Sequence, residues 1–326
     1  MKVSHILAVG VAATAITFSA STAAADAANW PQRPIRMIMP NAPGSSNDTL
    51  ARIIAVRLGD VLGQQLVIDN RPGAGGLVGM EIGKSAAPDG YTLVGASTAA
   101  MSIAPHIHKK LPYDPIKDYE YISMFGVTPN VLVINPGLPV KSVKEFVDFA
   151  KSKGMSLNMA SAGAGAQSHL TGAALMVAAG FQSTHVPYKG GGASVAAVVA
   201  NESQWTITPA PAVMQLVRSG RLRALGHSLP ERTSLLADMP SVGETVKGFK
   251  YSGWNGLLAP KGTPKAVLTK MRDAIIKVSN SSDVKEQFGS QGAVVQTSTP
   301  EAFRDLVAHE IRDIGPVVKA AGLKVE

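Results

Sequence analysis

Cysteine is absent from all 326 residues. No disulfide can form, so the chain depends on its core for stability, and a lipid-modified amino-terminal cysteine is excluded. Aromatic residues are only 5%, and lysine and arginine are scattered rather than run together with stacking side chains, which argues against a nucleic-acid surface. After the amino terminus no apolar run approaches the ~20 residues of a membrane-spanning helix. No repeat of fixed period and no low-complexity tract follows that segment either. Charged residues are 17% against 45% hydrophobic, ample for a sizeable core and unlike a disordered chain. The formal net charge of +8 points to anionic partners in general, and a small anion accounts for it more economically than a polyanion.

What is present begins with an export signal. Lys2 precedes the apolar stretch Ile6 to Ala20, and the small residues of "STAAADAAN" follow, with cleavage expected after Ala25 or Ala27. Residues 1–27 are therefore read as a signal peptide, and the mature chain as a protein diffusing freely in a bacterial periplasm. The length exceeds what one core usually organises, so one large or two medium units are expected.

Along the mature chain, "PIRMIMP" reads as a strand, and Leu50, Ile53, Ile54, Leu58, Val61 and Leu62 recur at helical spacing before Gly63. "QLVID" predicts a strand, "RPGAGG" a turn, "LVGMEIGKSA" a short helix and "YTLVGAS" another strand. This alternation predicts a parallel sheet covered on both faces. It resumes at "VLVIN" and "SVKEFVDFAKSK". Two amphipathic helices, Lys265 to Ser279 and Pro300 to Ala321, close the chain.

Ligands of such sheets settle at the carboxyl ends of strands, where helix starts expose free N–H groups. "PNAPGSSNDTLAR" has that form: Gly44 turns the backbone, and Ser45 or Ser46 can cap a helix with Asp48 in its first turn. Ser46 and Asp48 either cap their own helix or also serve a ligand. "SAGAGAQSHL" repeats the pattern around Ser168. His169 there falls in a first turn, where a neutral hydrogen-bonding or packing role is expected. "PYKGGGAS" puts Lys189 before the glycines, the wrong order for a phosphate-cradling Walker loop. "GASTA" approximates a nucleophile elbow at Ser97 but ends in alanine and has no acid and base in order, so a Ser97 or Thr98 hydroxyl donating to a bound oxygen is the preferred reading. His106 and His108 lack a third ligand at telling spacing and read as a polar loop. Trp205 and Trp254 could line a pocket, although such residues are more often core.

Taken together, "PIRMIMPNAPGSSNDTLAR", "NRPGAGG", "APDGYTLVGAS", "SAGAGAQSHL", "HVPYKGGGAS", "GRLRALGHS" and "SGWNGLLAPKGTP" resemble, in order and nearly in wording, the Bug-type (TctC-like) receptors of tripartite tricarboxylate transporters. The resemblance covers essentially the whole mature chain, and "NRPGAGG" followed by "APDGYTL" is its most specific part. It implies an α/β type 2 periplasmic-binding-protein fold: two lobes, each a mixed sheet flanked by helices, joined by a two-strand hinge. Residues 28–127 with 253–326 would form lobe 1, and 128–252 lobe 2. It also implies a small carboxylate ligand, integral membrane transporter subunits as partners, a monomer, no cofactor, no metal and no enzymatic activity.

Carried over by position, the resemblance places Asn41, Ala42, Pro43, Gly44, Ser45, Ser46, Asp48, Ser97 and Thr98 at the ligand from lobe 1. From lobe 2 it places Ser161, Gly163, Gln167, Ser168, Tyr188, Lys189, Gly190 and Thr208. Relatives commonly have "PPGGxxD" in the first loop, where Asn41, Ser45 and Ser46 here add donors. They often have aspartate where this chain has Thr208, a partner for a ligand amino group. Its absence favours a C4 dicarboxylate such as malate or succinate over an amino acid. The alternatives are an aromatic or longer-chain carboxylate, a sensor module docking on a membrane kinase, and an exported hydrolase using Ser97.

Overall fold

A computed structural model of the chain describes residues 29–236 and 239–320, so the expected signal peptide lies outside the described residues. Strand β1 (Ile35–Met39) is "IRMIM", with both faces covered: Ile35, Met37, Ile38 and Met39 are all buried. Helix α1 (Ser46–Leu62) follows. Ser45 is its cap, the side chain accepting from the Asp48 amide, and Gly63 ends it in the left-handed conformation with φ 72°. Next come β2 (Leu66–Asn70), α2 (Leu77–Lys84) and β3 (Thr92–Ser97).

The long strand β4 (Tyr119–Ile134) then leads through α3 (Val143–Lys153), β5 (Asn158–Ser161), α4 (Gln167–Ala179), β6 (Thr184–Pro187), α5 (Gly191–Val199), β7 (Trp205–Pro209) and β8 (Arg223–His227). Strand β9 (Ser252–Pro260) returns the chain, and α6 (Lys265–Ser279), α7 (Ser282–Ser290) and α8 (Pro300–Ala320) complete it.

The strands run in the order β2-β1-β3-β9-β4-β7-β5-β6, with β8 also on β4. β1 is parallel to β2 and β3, and β5 is parallel to β6 and β7, as the strand–helix alternation predicts. β4 and β9 are antiparallel to their neighbours, so the sheet is mixed. β4 is shared. Its first part, Tyr119 to Pro129, pairs with β9, and its last residues, Asn130 to Ile134, pair with β7. The sequence reading found only "VLVIN" of this strand. Two register shifts against β9, near Tyr121 and near Met124, break the alternation that would have revealed the rest.

Each half of the sheet is buried on both faces. In the first half, α1 and α6 cover one face, around Ile54, Met271 and Ile275; on the other, Met80 of α2 joins Phe303 and Val307 of α8. In the second half, Phe146, Leu175 and Trp205 form one core, and Val131, Val195 and Val198 another. A fifth cluster bridges the halves, joining Ile103 and Ile107 to Leu170, Ala173 and Val318. Trp205 and Trp254 are both core residues: the first packs on Phe146 and Phe181, the second edge-on to Phe303.

Helix α8 holds the first half together from its open side. Phe303 is fully buried, with its ring edge-on to Tyr121 at 5.0 Å and to Trp254 at 4.9 Å, and β9 accommodates it because residue 256 is glycine. Two turns on, Glu310 accepts hydrogen bonds from Ser102 Oγ at 2.6 Å and Trp254 Nε1 at 2.8 Å. Burial raises its pKa, and these two hydrogen bonds only partly oppose the rise.

Two predictions follow from this packing. Phe303→Ala should lower unfolding stability by about 3–5 kcal/mol in urea titrations, the range for an emptied aromatic site. Glu310 has a folded pKa above its unfolded value, so the folded state binds the proton more tightly and the buried charge costs stability as pH rises through that window. Glu310→Gln keeps an acceptor without the charge. It should raise Tm at pH 8 relative to the parent, and the gain should vanish near pH 4; a gain independent of pH would contradict the assignment.

Candidate ligand-binding cleft

The loop after β1 is fixed from below by one carboxylate. Asp48 accepts from the Gly44 amide at 2.9 Å, Asn70 Nδ2 at 2.8 Å and Arg52 Nε at 2.9 Å, and its side chain is 3% exposed. Burial alone would raise its pKa, but hydrogen bonds from Arg52, Asn70 and Gly44 outweigh that and hold it below the usual carboxylate value. Asn70 also donates to the Asn41 carbonyl, and Asn47 to the Asn41 side chain. With Ser45 capping Asp48, the first two amides of α1, those of Ser46 and Asn47, have no acceptor among the described residues. Ser46 Oγ reaches over to the Pro209 carbonyl at the end of β7, at 3.4 Å.

The loop after β5 is built the same way with other groups. Gly163 and Gly165 take φ of 127° and 72°, which side-chain-bearing residues rarely adopt. Ser168 Oγ accepts from the Ala162 amide at 3.0 Å, and Ser161 Oγ donates to the Gly163 carbonyl at 3.1 Å. The Gly165 amide donates to His169 Nδ1 at 3.2 Å. Behind it, the Tyr188 and Gly190 amides continue the β5–β6 pairing by donating to Ser161 and Ala162. α5 starts at Gly191, immediately after this turn.

Between these loops lies a cavity of about 970 Å³. The starts of α1, α4 and α5 all reach its wall, at Ser46 and Asn47, at Gln167 to His169, and at Gly190 and Gly191. Among the described residues no aspartate or glutamate lines it, and Lys189 is the single lysine or arginine that does. The two sides approach closely where side chains are missing. A Cβ at position 190 would stand 2.9 Å from that of Ala42, and one at 165 would overlap Ile107. Gln167 crosses to Gly253 on β9, where a Cβ would fall 2.3 Å from its Oε1.

Of the residues expected at the ligand, Asn41, Ala42, Ser45, Ser46 and Ser97 line the cavity from the first half. Gly163, Gln167, Ser168, Tyr188, Lys189, Gly190 and Thr208 line it from the second. Five stand behind the wall. Pro43, Gly44 and Asp48 form and brace the first loop. Thr98 Oγ1 accepts from the Trp254 amide at 3.2 Å, and Ser161, fully buried, bonds His185. Ser97 Oγ has no hydrogen-bond partner among the described residues.

Sequence reasoning missed part of the wall. Pro72, Gly73, Gly75 and Gly76 of "NRPGAGG" line it, and the run of glycines with positive φ was the available signal. His106 and His108 diverge. His106 Nε2 meets the Ile311 carbonyl of α8 at 2.5 Å, whereas His108 lines the cavity with its Nε2 buried and unpartnered. His169 and His185 also line it, stacked 3.7 Å apart and 10° from parallel. Burial, with His185 beside it, lowers His169 to about 4, and burial lowers His185 as well, which favours the neutral form of both rings. Nothing in "QSH" or "THV" foretold that these rings, from α4 and β6, would stack.

Known proteins resemble this chain over most of its length. BugT of Bordetella pertussis (strain Tohama I) is 34% identical over 299 residues, covering 91% of this chain and 92% of that protein. Among solved structures, R. palustris Rpa4515 with adipate superimposes with a TM-score of 0.88 at 28% identity, over 90% of this chain and 99% of that one. MatC (Rpa3494) from Rhodopseudomonas palustris with bound malate gives 0.83 at 30% identity, over 89% and 100%. The fold is thus the two-lobed one of the periplasmic binding proteins, built on the mixed sheet described above. The profile of the tripartite tricarboxylate transporter family receptor (TctC) matches residues 50–323, and the chain belongs to that family.

Proposed function

We propose that this protein is a periplasmic solute receptor that binds a small dicarboxylate between its lobes and delivers it to the membrane subunits of a tripartite transporter. One observation carries the reading. Three helix starts and the Ser46 and Ser97 hydroxyls line one cavity that no carboxylate side chain of the described residues lines. Free amides at helix starts favour a negative guest, and an ammonium group would find no counter-charge there. Thr208 stands where an acidic residue would be needed to hold one. Relatives solved with malate and with adipate support the same ligand class.

The lobes proposed are residues 28–127 with 253–326, and 128–252. The chain crosses between the sheet halves at Pro129–Asn130 in β4 and just before Ser252 in β9, next to one another, which suits a two-strand hinge. One ligand carboxylate meets the α1 start and Ser97, the other the starts of α4 and α5, so that binding draws the lobes together. A C4 acid such as malate or succinate satisfies both ends after closure. A cavity of about 970 Å³ favours extending the ligand series to C6 acids.

Thermal unfolding with a panel of mono-, di- and tricarboxylates tests this directly, using protein freed of copurifying acid by unfolding and refolding. A dicarboxylate at 100 times its Kd should add about 2.7 kcal/mol of stability. Ser46→Ala combined with Ser97→Ala should weaken that ligand about tenfold or more while unfolding stays cooperative. A panel that leaves the melting curve unmoved removes the receptor reading.

A further inference from the structure

The cleft contains a compartment that the anion-binding loops do not account for. His169, Ala173 and Met176 recur along α4 at spacings of four and three and line the cavity as one face. Ile107, packed with Leu170 and Ala173, and His108 line it from the first lobe. The stacked ring of His185 completes it.

The hydrogen bonds limit what these rings present. His169 Nδ1 accepts from the Gly165 amide, so its proton sits on Nε2. Ser161 Oγ lies 3.1 Å from the Gly163 carbonyl and 2.6 Å from His185 Nε2; when its proton goes to the carbonyl it accepts from His185 Nε2–H, the tautomer that leaves His185 Nδ1 a bare acceptor. Neither His169 Nε2–H nor His185 Nδ1 has a partner among the described residues. In that tautomer the pair offers one donor and one acceptor, on rings 3.7 Å apart.

We propose that His185 takes this tautomer and that the imidazole pair is a hydroxyl-recognition site: a ligand hydroxyl accepts from His169 Nε2–H and donates to His185 Nδ1. The inference rests on the receptor reading above and names the class of acid within it, hydroxylated in preference to its deoxy counterpart. A second carboxylate fits the pair less well, because its lone pairs would oppose that of His185 Nδ1 and no cationic side chain lines this compartment. Lys189 belongs to the loop before α5. Selectivity follows from desolvation. A deoxy acid that closes the cleft leaves a donor and an acceptor unpaired, the circumstance in which polar sites reject analogues most strongly.

Calorimetry with two pairs of acids tests it: malate against succinate, and 6-hydroxyhexanoate against hexanoate, which place the hydroxyl near to and far from a carboxylate. The wild-type protein should bind the hydroxy acid at least tenfold tighter in one pair. His169→Phe retains a ring against His185 but removes the donor, and should reduce that ratio below threefold. Should His169→Phe not unfold cooperatively, His185→Phe, which removes the acceptor, is read in the same way. Ratios near one in both wild-type pairs, or a ratio that survives the substitution, overturn the hydroxyl site while leaving the receptor reading intact. Binding of no acid at all overturns both.

Discussion

A helix that begins at a cavity leaves its first amides without acceptors, and three helices of this protein begin at the same one. That constraint organises much of the fold around it. The loops leading into α1 and α4 must be held without using those amides, and each uses side chains placed behind the wall. Asp48 gathers Gly44, Asn70 and Arg52; Ser168 takes the Ala162 amide; Ser161 ties Gly163 to His185. Asp48 is an anion next to the proposed anion site, an apparent conflict. Its charge is shared with Arg52 and its oxygens are already committed to donors, so it stabilises the helix start without occupying the place where a guest would meet it.

Convergence from two lobes also requires a joint that bends without losing register. β4 supplies it by belonging to both sheet halves, with β9 beside it through the crossing. Close approach across the cleft is set by missing side chains at Gly165, Gly190 and Gly253, against Ile107, Ala42 and Gln167. The cluster of Ile103, Ile107, Leu170, Ala173 and Val318 packs the two lobes together, and a second close approach brings Ala42 against Gly190. The carboxy-terminal helix takes part in both tasks: Phe303 seats it on the first lobe, and Val318 reaches the bridging cluster.

Much of this is legible from the residues because local chemistry decides it. Ser45 before an apolar-periodic run and Gly63 after it mark α1 at both ends, and the observed caps are those two residues. The helices at Lys265 and Pro300 follow from period alone. Long-range pairing was not legible. β4 carries a glycine, a proline and two register shifts, so its first eleven residues lack a strand's alternation, and α7 is too short and too polar in pattern to stand out. The same division runs through the cleft. Loops with glycine and serine announce themselves, whereas His108, His169 and His185 acquire their positions only when α4, β6 and the turn after β3 are brought together.

The cleft's near lack of cationic side chains bears on how it would bind and release. Hydrogen bonds to a charged group contribute roughly 1.5–3 kcal/mol each, so four to six of them, less the costs of ordering and association, leave about the 8 kcal/mol of a micromolar complex. Such bonds depend on geometry far more steeply than the attraction between full charges, which persists over several ångströms. Donors stand on both lobes. Parting the lobes by a few ångströms therefore abolishes the contacts to one of them at once, while the net charge of +8 still draws anions toward the cleft from a distance. On the receptor reading, capture and release then differ by one hinge movement.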